Sequence, residues 1–197
     1  MTAPESEEKA APEKTPEKKG TFVEGCFEWA EAFIMPLIVV MILFVFLFRL
    51  NIVVIGPSME PNYVEGNRVF VSCIDRNFTR GNVVVIDSDG TPQLNTRIIK
   101  RVIATEGQKV DINFDTGCVS VNGKVLDESA YIQNGITKRA GDVKFPLTVP
   151  KGKVFVLGDH RQVSDDSRYS DVGLIDTRYI IGKVEFLLSP FRGFQSR

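Results

Sequence analysis

The chain has 197 residues, with 24 Lys and Arg against 25 Asp and Glu, and 43% of it is hydrophobic. That length excludes two large domains but allows one domain with a real core, and the near-neutral charge gives no basic field for nucleic acid. Three cysteines are too few for a disulfide scaffold, and the single histidine, His160, excludes any site that needs two imidazole ligands.

Residues 1–20 hold five Glu, four Lys and three Pro, with no Val, Ile, Leu or aromatic residue. Such a segment cannot bury enough apolar surface to offset the entropy of ordering, so a disordered tail is expected. Residues 21–50 change character. Phe22, Cys26, Trp29 and Phe33 recur at helical spacing while Glu24, Glu28 and Glu31 fall on another face, which predicts an interfacial lead-in helix. Ala32 to Phe48 follow as 17 uncharged, almost wholly apolar residues ending at Arg49. At 1.5 Å per residue they reach about 25 Å; with Arg49 snorkelling and apolar residues continuing to Ile55, the run is long enough to span a membrane. A cleavable leader would start nearer the N-terminus and end in small residues. A buried core helix would find no helical partner in the strand-like sequence downstream. Lys18 and Lys19 lie on the N-terminal side, whereas the next basic residue after Arg49 is Arg68, so the tail is expected in the cytoplasm and the body outside.

Residues 51–197 read as β. Branched or aromatic runs recur at Arg68–Cys73, Asn82–Asp87, Arg97–Ala104, Val110–Phe114, Cys118–Val121, Lys153–Leu157 and Tyr179–Leu188. Asp115-Thr116-Gly117 and Asn122-Gly123 have hairpin-turn chemistry. An all-β, barrel-like domain is expected over residues 51–197. Three segments in it could carry chemistry. Ile55-Gly56-Pro57-Ser58-Met59-Glu60-Pro61 sets a serine on a turn stiffened by Gly and Pro. Arg97 to Ile103 is an apolar strand interrupted by Lys100, which alternation aligns with Ile98 and Val102; such a lysine either snorkels at an edge or is buried for a purpose. Val154 to Leu157 run into Gly158-Asp159-His160-Arg161 and Ser164-Asp165-Asp166-Ser167-Arg168, a polar loop without the register of a calcium site.

Together these segments resemble a bacterial type I signal peptidase, the serine–lysine dyad kind, in its single-pass form. Ser58-Met59-x-Pro61 is similar to the family's nucleophile box and Ile99-Lys100-Arg101-Val102-Ile103 to its general-base box. Gly158-Asp159-x-Arg161 with Ser164-x-Asp166-Ser167-Arg168 is similar to its third box, and Arg80-Gly81-Asn82-Val83-Val84 to a further strand. The resemblance implies a membrane-anchored serine endopeptidase with no cofactor and no metal. Its partners would be membrane lipid and exported preproteins, cut after small residues in an Ala-x-Ala-like pattern. It implies Ser58 as nucleophile, Lys100 as general base, Ser164 as the hydroxyl that holds the amine, and Asp166 with Arg168 as the pair that holds the third box. The Ser58 N–H would be one oxyanion donor; Gly56 stands where some members carry a second donor on a side-chain hydroxyl. Val54, Met59, Ile98 and Ile99 would wall shallow pockets for a substrate added as a β-strand between Ile52–Ile55 and Arg97–Ile99. The chain departs from the family at Asn62-Tyr63, where Thr-Leu is usual, at Asn82, where Asp is frequent, and at His160, where Asn is usual.

The chemistry asks for the same residues. A serine hydroxyl attacks only when a base takes its proton. A lysine is such a base only when neutral, so its pKa must fall from about 10.4 to near 8, and burial among Ile98, Ile99 and Val102 supplies that desolvation. Three other readings compete. A Ser-His-Asp hydrolase would use His160 with Asp159 or Asp166. A self-cleaving repressor protease would share the dyad but needs a DNA-binding head, which residues 1–50 do not offer. A non-catalytic membrane-anchored β-domain would bind or assemble exported proteins. Cys73 and Cys118 could form a disulfide, but free, buried cysteines are the expectation.

Overall fold

The computed structural model describes residues 22–49, 51–91, 96–132 and 136–188. The expected disordered tail, 1–20, lies outside the described residues. The chain divides into two compact units, Met1–Val45 and Phe46–Arg197. Helix α1 (Phe22–Arg49) takes in the lead-in stretch and the apolar run without a break and holds Pro36 within it. Its described side chains, Trp29 and those of residues 32–44, are exposed. Trp29 stacks on Phe33 with ring centroids 6.1 Å apart, as an i, i+4 pair on one helical face should. Among the described residues no helix is long and apolar enough to cross a membrane.

The second unit is mostly β, as expected. Its strands are β1 (Asn51–Val53), β2 (Arg68–Ser72), β3 (Val83–Ile86), β4 (Ile98–Thr105), β5 (Lys109–Asn113) and β6 (Cys118–Val121), then β7 (Lys124–Val125), β8 (Leu147–Thr148), β9 (Lys153–Leu157), β10 (Ile175–Asp176) and β11 (Ile180–Leu188). They form a seven-stranded sheet in the order β1-β2-β11-β3-β4-β9-β10 and a four-stranded sheet in the order β7-β6-β5-β8. All the pairings are antiparallel. The larger sheet is open, because its end strands β1 and β10 do not pair with each other. Asn122 (φ 53) and Gly123 (φ 76) form the two-residue link between β6 and β7, the positive-φ pair that a type I′ hairpin turn requires.

The strands sort their side chains into three apolar clusters. Val84, Ile86, Val102, Val154 and Val156 meet on one face of the large sheet, with Ile98 packed against them. Val54, Met59, Val69, Val83, Val85 and Ile99 meet on the other. Strand β3 is therefore buried at all four positions, which accounts for its unbroken valine and isoleucine run. The third cluster joins Val110, Ile112, Val119 and Val121 of the small sheet to Ile103, Phe155 and Leu157 of the large one.

The pairing pattern leaves two strand edges open near one end of β4. Strand β3 pairs with Ile98 to Arg101, but β9 pairs only from Arg101 onward, so Ile98–Lys100 has a partner on one side alone. Strand β1 is an end strand that pairs only with β2. Cys73 and Cys118 are free, as expected, but both are exposed rather than buried. Cys73 lies just past the end of β2, and Cys118 takes the first outward position of β6, whose inward positions are Val119 and Val121.

Candidate active site

Ser58 is delivered by the segment that follows β1. The Val54 N–H donates to Asn67 O at 2.8 Å and Gly66 N donates to Val54 O at 2.9 Å, which ties the end of this strand to the chain ahead of β2. The backbone then turns at Gly56, whose φ of +80 is the left-handed conformation that favours glycine. Beyond the serine, Glu60 N donates to Pro57 O at 3.1 Å and Tyr63 N to Met59 O at 3.0 Å. Met59 is 1% exposed, anchored in the cluster with Val54 and Ile99. A buried side chain directly after Ser58 leaves the serine half-buried at the lip of the turn.

Lys100 comes from β4, opposite Val84 of β3. It is 3% exposed, so it does not snorkel at the edge. Among the described residues its hydrogen bond is to Ser58, with Nζ and Oγ 2.8 Å apart. Burial lowers the Lys100 pKa from 10.5 to about 8; Asp166, Asp165 and Asp159 pull it up, and Arg168 pulls it down. Desolvation outweighs three carboxylates here because none of them touches the amine directly.

The loop after β9 lies beneath the serine. A Cβ on Gly158 would stand 2.6 Å from Ser58 O and would collide with Ser164 Oγ, so no larger residue fits there. The His160 N–H donates to Ser58 O at 3.0 Å, and Ser164 N donates to His160 O at 3.0 Å. Arg168, fully buried, donates to Asp166 Oδ1 at 2.8 Å and Oδ2 at 2.9 Å, and to the carbonyls of Arg139, Arg161 and Ser164 at 2.6, 2.8 and 3.1 Å. Asp166 Oδ2 also accepts from Gly158 N at 3.0 Å. This buried ion pair has its hydrogen-bonding capacity used, the condition under which such a pair holds a loop in place.

The other residues singled out in the sequence divide. Ser164 is at the site, but its Oγ donates to Asp165 O at 3.5 Å; the bond to Lys100 that the resemblance implies is not formed, because the hydroxyl is turned against Gly158. Val54, Met59 and Ile99 share one buried cluster, while Ile98 packs on the opposite face of β4. A cleft of about 440 Å³ lies between the segment from Ile52 to Ile55 and the segment from Thr96 to Ile99, with Val85 in its wall. Arg97 at its lip pairs with Asp87 at 3.1 Å. The triad alternative does not assemble. His160 Nδ1 lies 3.8 Å from Glu60 Oε2, while Asp159 and Asp166 are bound by Arg101 and Arg168.

Apart from Asp159, weighed as a triad acid, several site residues carried no functional reading in the sequence. Arg101 grips Asp159 with two hydrogen bonds, of 2.7 and 2.6 Å. Arg161 grips Glu128 in the same way, at 2.8 and 2.6 Å, and both side chains are buried. Asn62 donates to Asp159 Oδ2 at 2.7 Å and to Tyr131 O at 2.6 Å. Arg101, Asp159 and Arg161 stood inside the motif boxes, whereas Glu128 and Tyr131 lie in a stretch with neither strand nor motif signal.

Known proteins resemble the chain as follows. The family model for signal peptidase, peptidase S26, matches residues 26–189. A curated Signal peptidase I of Bacillus licheniformis is 36% identical over 185 residues, which covers 90% of this chain and 96% of that protein. Signal peptidase IB of Staphylococcus aureus strain N315 is 38% identical over 157 residues, 71% of this chain and 78% of that one. A crystal structure of a signal peptidase I from Enterococcus faecalis V583 aligns with a TM-score of 0.42 at 30% identity, covering 55% of this chain and 97% of that one.

Proposed function

The chain belongs to the signal peptidase family, peptidase S26, and from that premise we propose that it cuts N-terminal signal peptides from exported preproteins with Ser58 as nucleophile and Lys100 as general base. It is an enzyme of the type I signal peptidase class. The observation that carries the assignment of roles is the 2.8 Å approach of a buried lysine amine to Ser58 Oγ.

A charged Lys100 donates to Ser58 Oγ; a neutral one accepts the serine proton along the same line. With the amine at about 8, a substantial fraction is neutral at mildly alkaline pH. Ser58 Oγ then attacks the scissile carbonyl as Lys100 takes its proton. The Ser58 N–H, at the apex of the turn, is the donor offered to the oxyanion. The Lys100 ammonium returns the proton to the leaving amine, and water attacks the resulting Ser58 ester with Lys100 again as base. Asp166 and Arg168 hold the loop on which Ser58 O rests.

The substrate enters as an extended strand between the open edges of β1 and of Ile98–Lys100. Alternate side chains of an extended peptide point the same way, so residues −1 and −3 face one wall. Ile52, Ile55 and Ile99 line the cleft there, and the preference for small residues rests on the family resemblance. No helix among the described residues is by itself long and apolar enough to cross a membrane; from the sequence we infer that the run from Ala32 to Phe48, continued by apolar residues to Ile55, is a single-pass anchor, with residues 1–20 in the cytoplasm and residues 51–197 outside as the catalytic domain. Ser58 follows that run by ten residues, which keeps the chemistry close to the membrane surface. The test is to incubate the full-length protein in detergent with a preprotein and sequence the N-terminus of the product. Cleavage after an Ala-x-Ala-like site supports the reading; an intact precursor with a folded protein overturns it.

A further inference from the structure

Asn62 stands four residues beyond Ser58, on the turn that carries the nucleophile. Its one side-chain nitrogen serves two acceptors from distant parts of the chain, Asp159 Oδ2 at 2.7 Å and Tyr131 O at 2.6 Å. Asp159 is 2% exposed and is also held by Arg101, through Nε to Oδ1 at 2.7 Å and Nη2 to Oδ2 at 2.6 Å. Arg101 directly follows Lys100 on β4, and its guanidinium lies 4.4 Å from the centre of the Tyr131 ring. The Tyr131 hydroxyl donates to Glu128 Oε1 at 2.8 Å, Glu128 is gripped by Arg161, and Arg161 Nε donates to Gly158 O at 2.9 Å. The circuit thus closes on the serine, because Gly158 packs on Ser58 O and His160 N bonds to it.

Each of the three motif segments enters this circuit, and Asn62 is the member that ties the nucleophile turn to it by a side chain. The residue type matters. A primary amide has two N–H donors on one atom, which is what two acceptors on opposite sides require. Threonine has a single donor and a shorter reach. Leucine keeps the branched skeleton of asparagine, with bulkier methyl groups, and has no donor. Transfer of a proton from serine to lysine depends on their separation, and a displacement of the order of 1 Å costs up to about 100-fold in rate.

We propose that Asn62 is a positioning residue for the reaction: it locks the Ser58 turn to the Asp159–Arg101 pair and to the Tyr131 backbone, and so sets the distance between Ser58 Oγ and Lys100 Nζ. The proposal rests on reading those two groups as nucleophile and base. It places the Glu128–Tyr131 stretch in the supporting frame of the active site. The charged groups that act on Lys100 (Asp159, Asp165, Asp166 and Arg168) come from the third motif segment, so a turn released from Asp159 loosens the side of the site that faces them.

The experiment compares full-length wild type, Asn62→Thr and Asn62→Leu in detergent, with a preprotein substrate, measuring kcat and KM across pH 6.5 to 10 and the melting temperature of each; Ser58→Ala is run alongside. The expected result for Asn62→Leu is a kcat lower by about tenfold or more with KM within about twofold. Its rising activity limb should also move to higher pH, as a less enclosed amine requires. Asn62→Thr, with one donor kept, should fall between it and wild type. A folded Asn62→Leu enzyme with wild-type kcat and an unmoved limb, altered only in melting temperature, would reduce Asn62 to a structural residue and overturn the proposal. If Asn62→Leu does not fold, Asn62→Thr decides, and wild-type kcat and pH profile there overturn it equally. Turnover by Ser58→Ala would instead overturn the dyad reading beneath it.

Discussion

Replacing Lys100 by methionine should make the protein more stable at neutral pH, although it destroys the proposed base. Lys100 is 3% exposed, and burial holds its pKa at about 8 instead of 10.5. That gap corresponds to about 3 kcal/mol. Below pH 8 the lysine is charged in both the folded and the unfolded chain, and the fold carries the whole penalty. Between pH 8 and 10.5 the unfolded chain keeps a proton that the folded chain has released, so wild-type stability rises with pH across this window. Methionine removes the titrating group and nearly conserves the volume. It also removes the hydrogen bond to Ser58 Oγ, a loss of about 1 kcal/mol. The variant should therefore gain about 2 kcal/mol at pH 7, or about 4–8 °C in melting temperature for a domain of this size. Its advantage over wild type should shrink by about 3 kcal/mol between pH 7 and 10.5. Unfolding of both full-length proteins in detergent, followed by circular dichroism at several pH values, gives the difference; other titrating groups cancel in it. A variant less stable than wild type by a constant amount at every pH would show that Lys100 is not desolvated and would refute the reasoning.

Arg168→Met leaves the Asp166 carboxylate buried without its main partner, and unfolding measurements should show a loss of about 3–5 kcal/mol. His160→Ala should retain most turnover on a preprotein, since the hydrogen bond that Ser58 Oγ makes is to Lys100; complete loss in a folded variant would favour a triad. Removal of residues 1–20 should leave cleavage unchanged. Removal of residues 1–50 should slow cleavage of membrane-embedded precursors more than that of short soluble peptides, because an anchor supplies proximity and not chemistry; equal loss on both would make the helix part of the folded site.

What the sequence revealed, and what it hid, follows from the range of the forces involved. Strands β4, β9 and β11 were legible because five to nine residues of branched or aromatic character make a pattern that needs no partner to be seen. Strands β1, β7, β8 and β10 have two or three residues each and exist through their pairing, which local pattern does not express. Lys100 stood out as a lone charge in an apolar strand, but whether it was buried depended on how the surrounding sheet packed. Alternation sorted the faces of β4 as the structure has them, Ile98 with Val102 on one side and Ile99 on the other. Of the four residues expected to wall the pockets, Ile99 lines the cleft, because which face of a strand meets a cleft depends on how the sheet packs. Ser164 was recognised by its place in a motif, yet the direction of its hydroxyl follows from contact with Gly158. The bond from Asn62 to Asp159 joins residues 97 positions apart, and nothing local to either announces the other.

The central claim, that Ser58 is activated by a neutral Lys100, is tested most directly by the pH–rate profile of preprotein cleavage for wild type and Lys100→Arg, each shown to be folded. Arginine keeps the charge and the long stem but cannot accept a proton in this range. Wild type should show a rising limb centred near 8, where burial places the amine, and Lys100→Arg should be as inactive as Lys100→Ala at every pH. A folded Lys100→Arg enzyme with substantial turnover, or a wild-type limb at the ordinary lysine value, would contradict it.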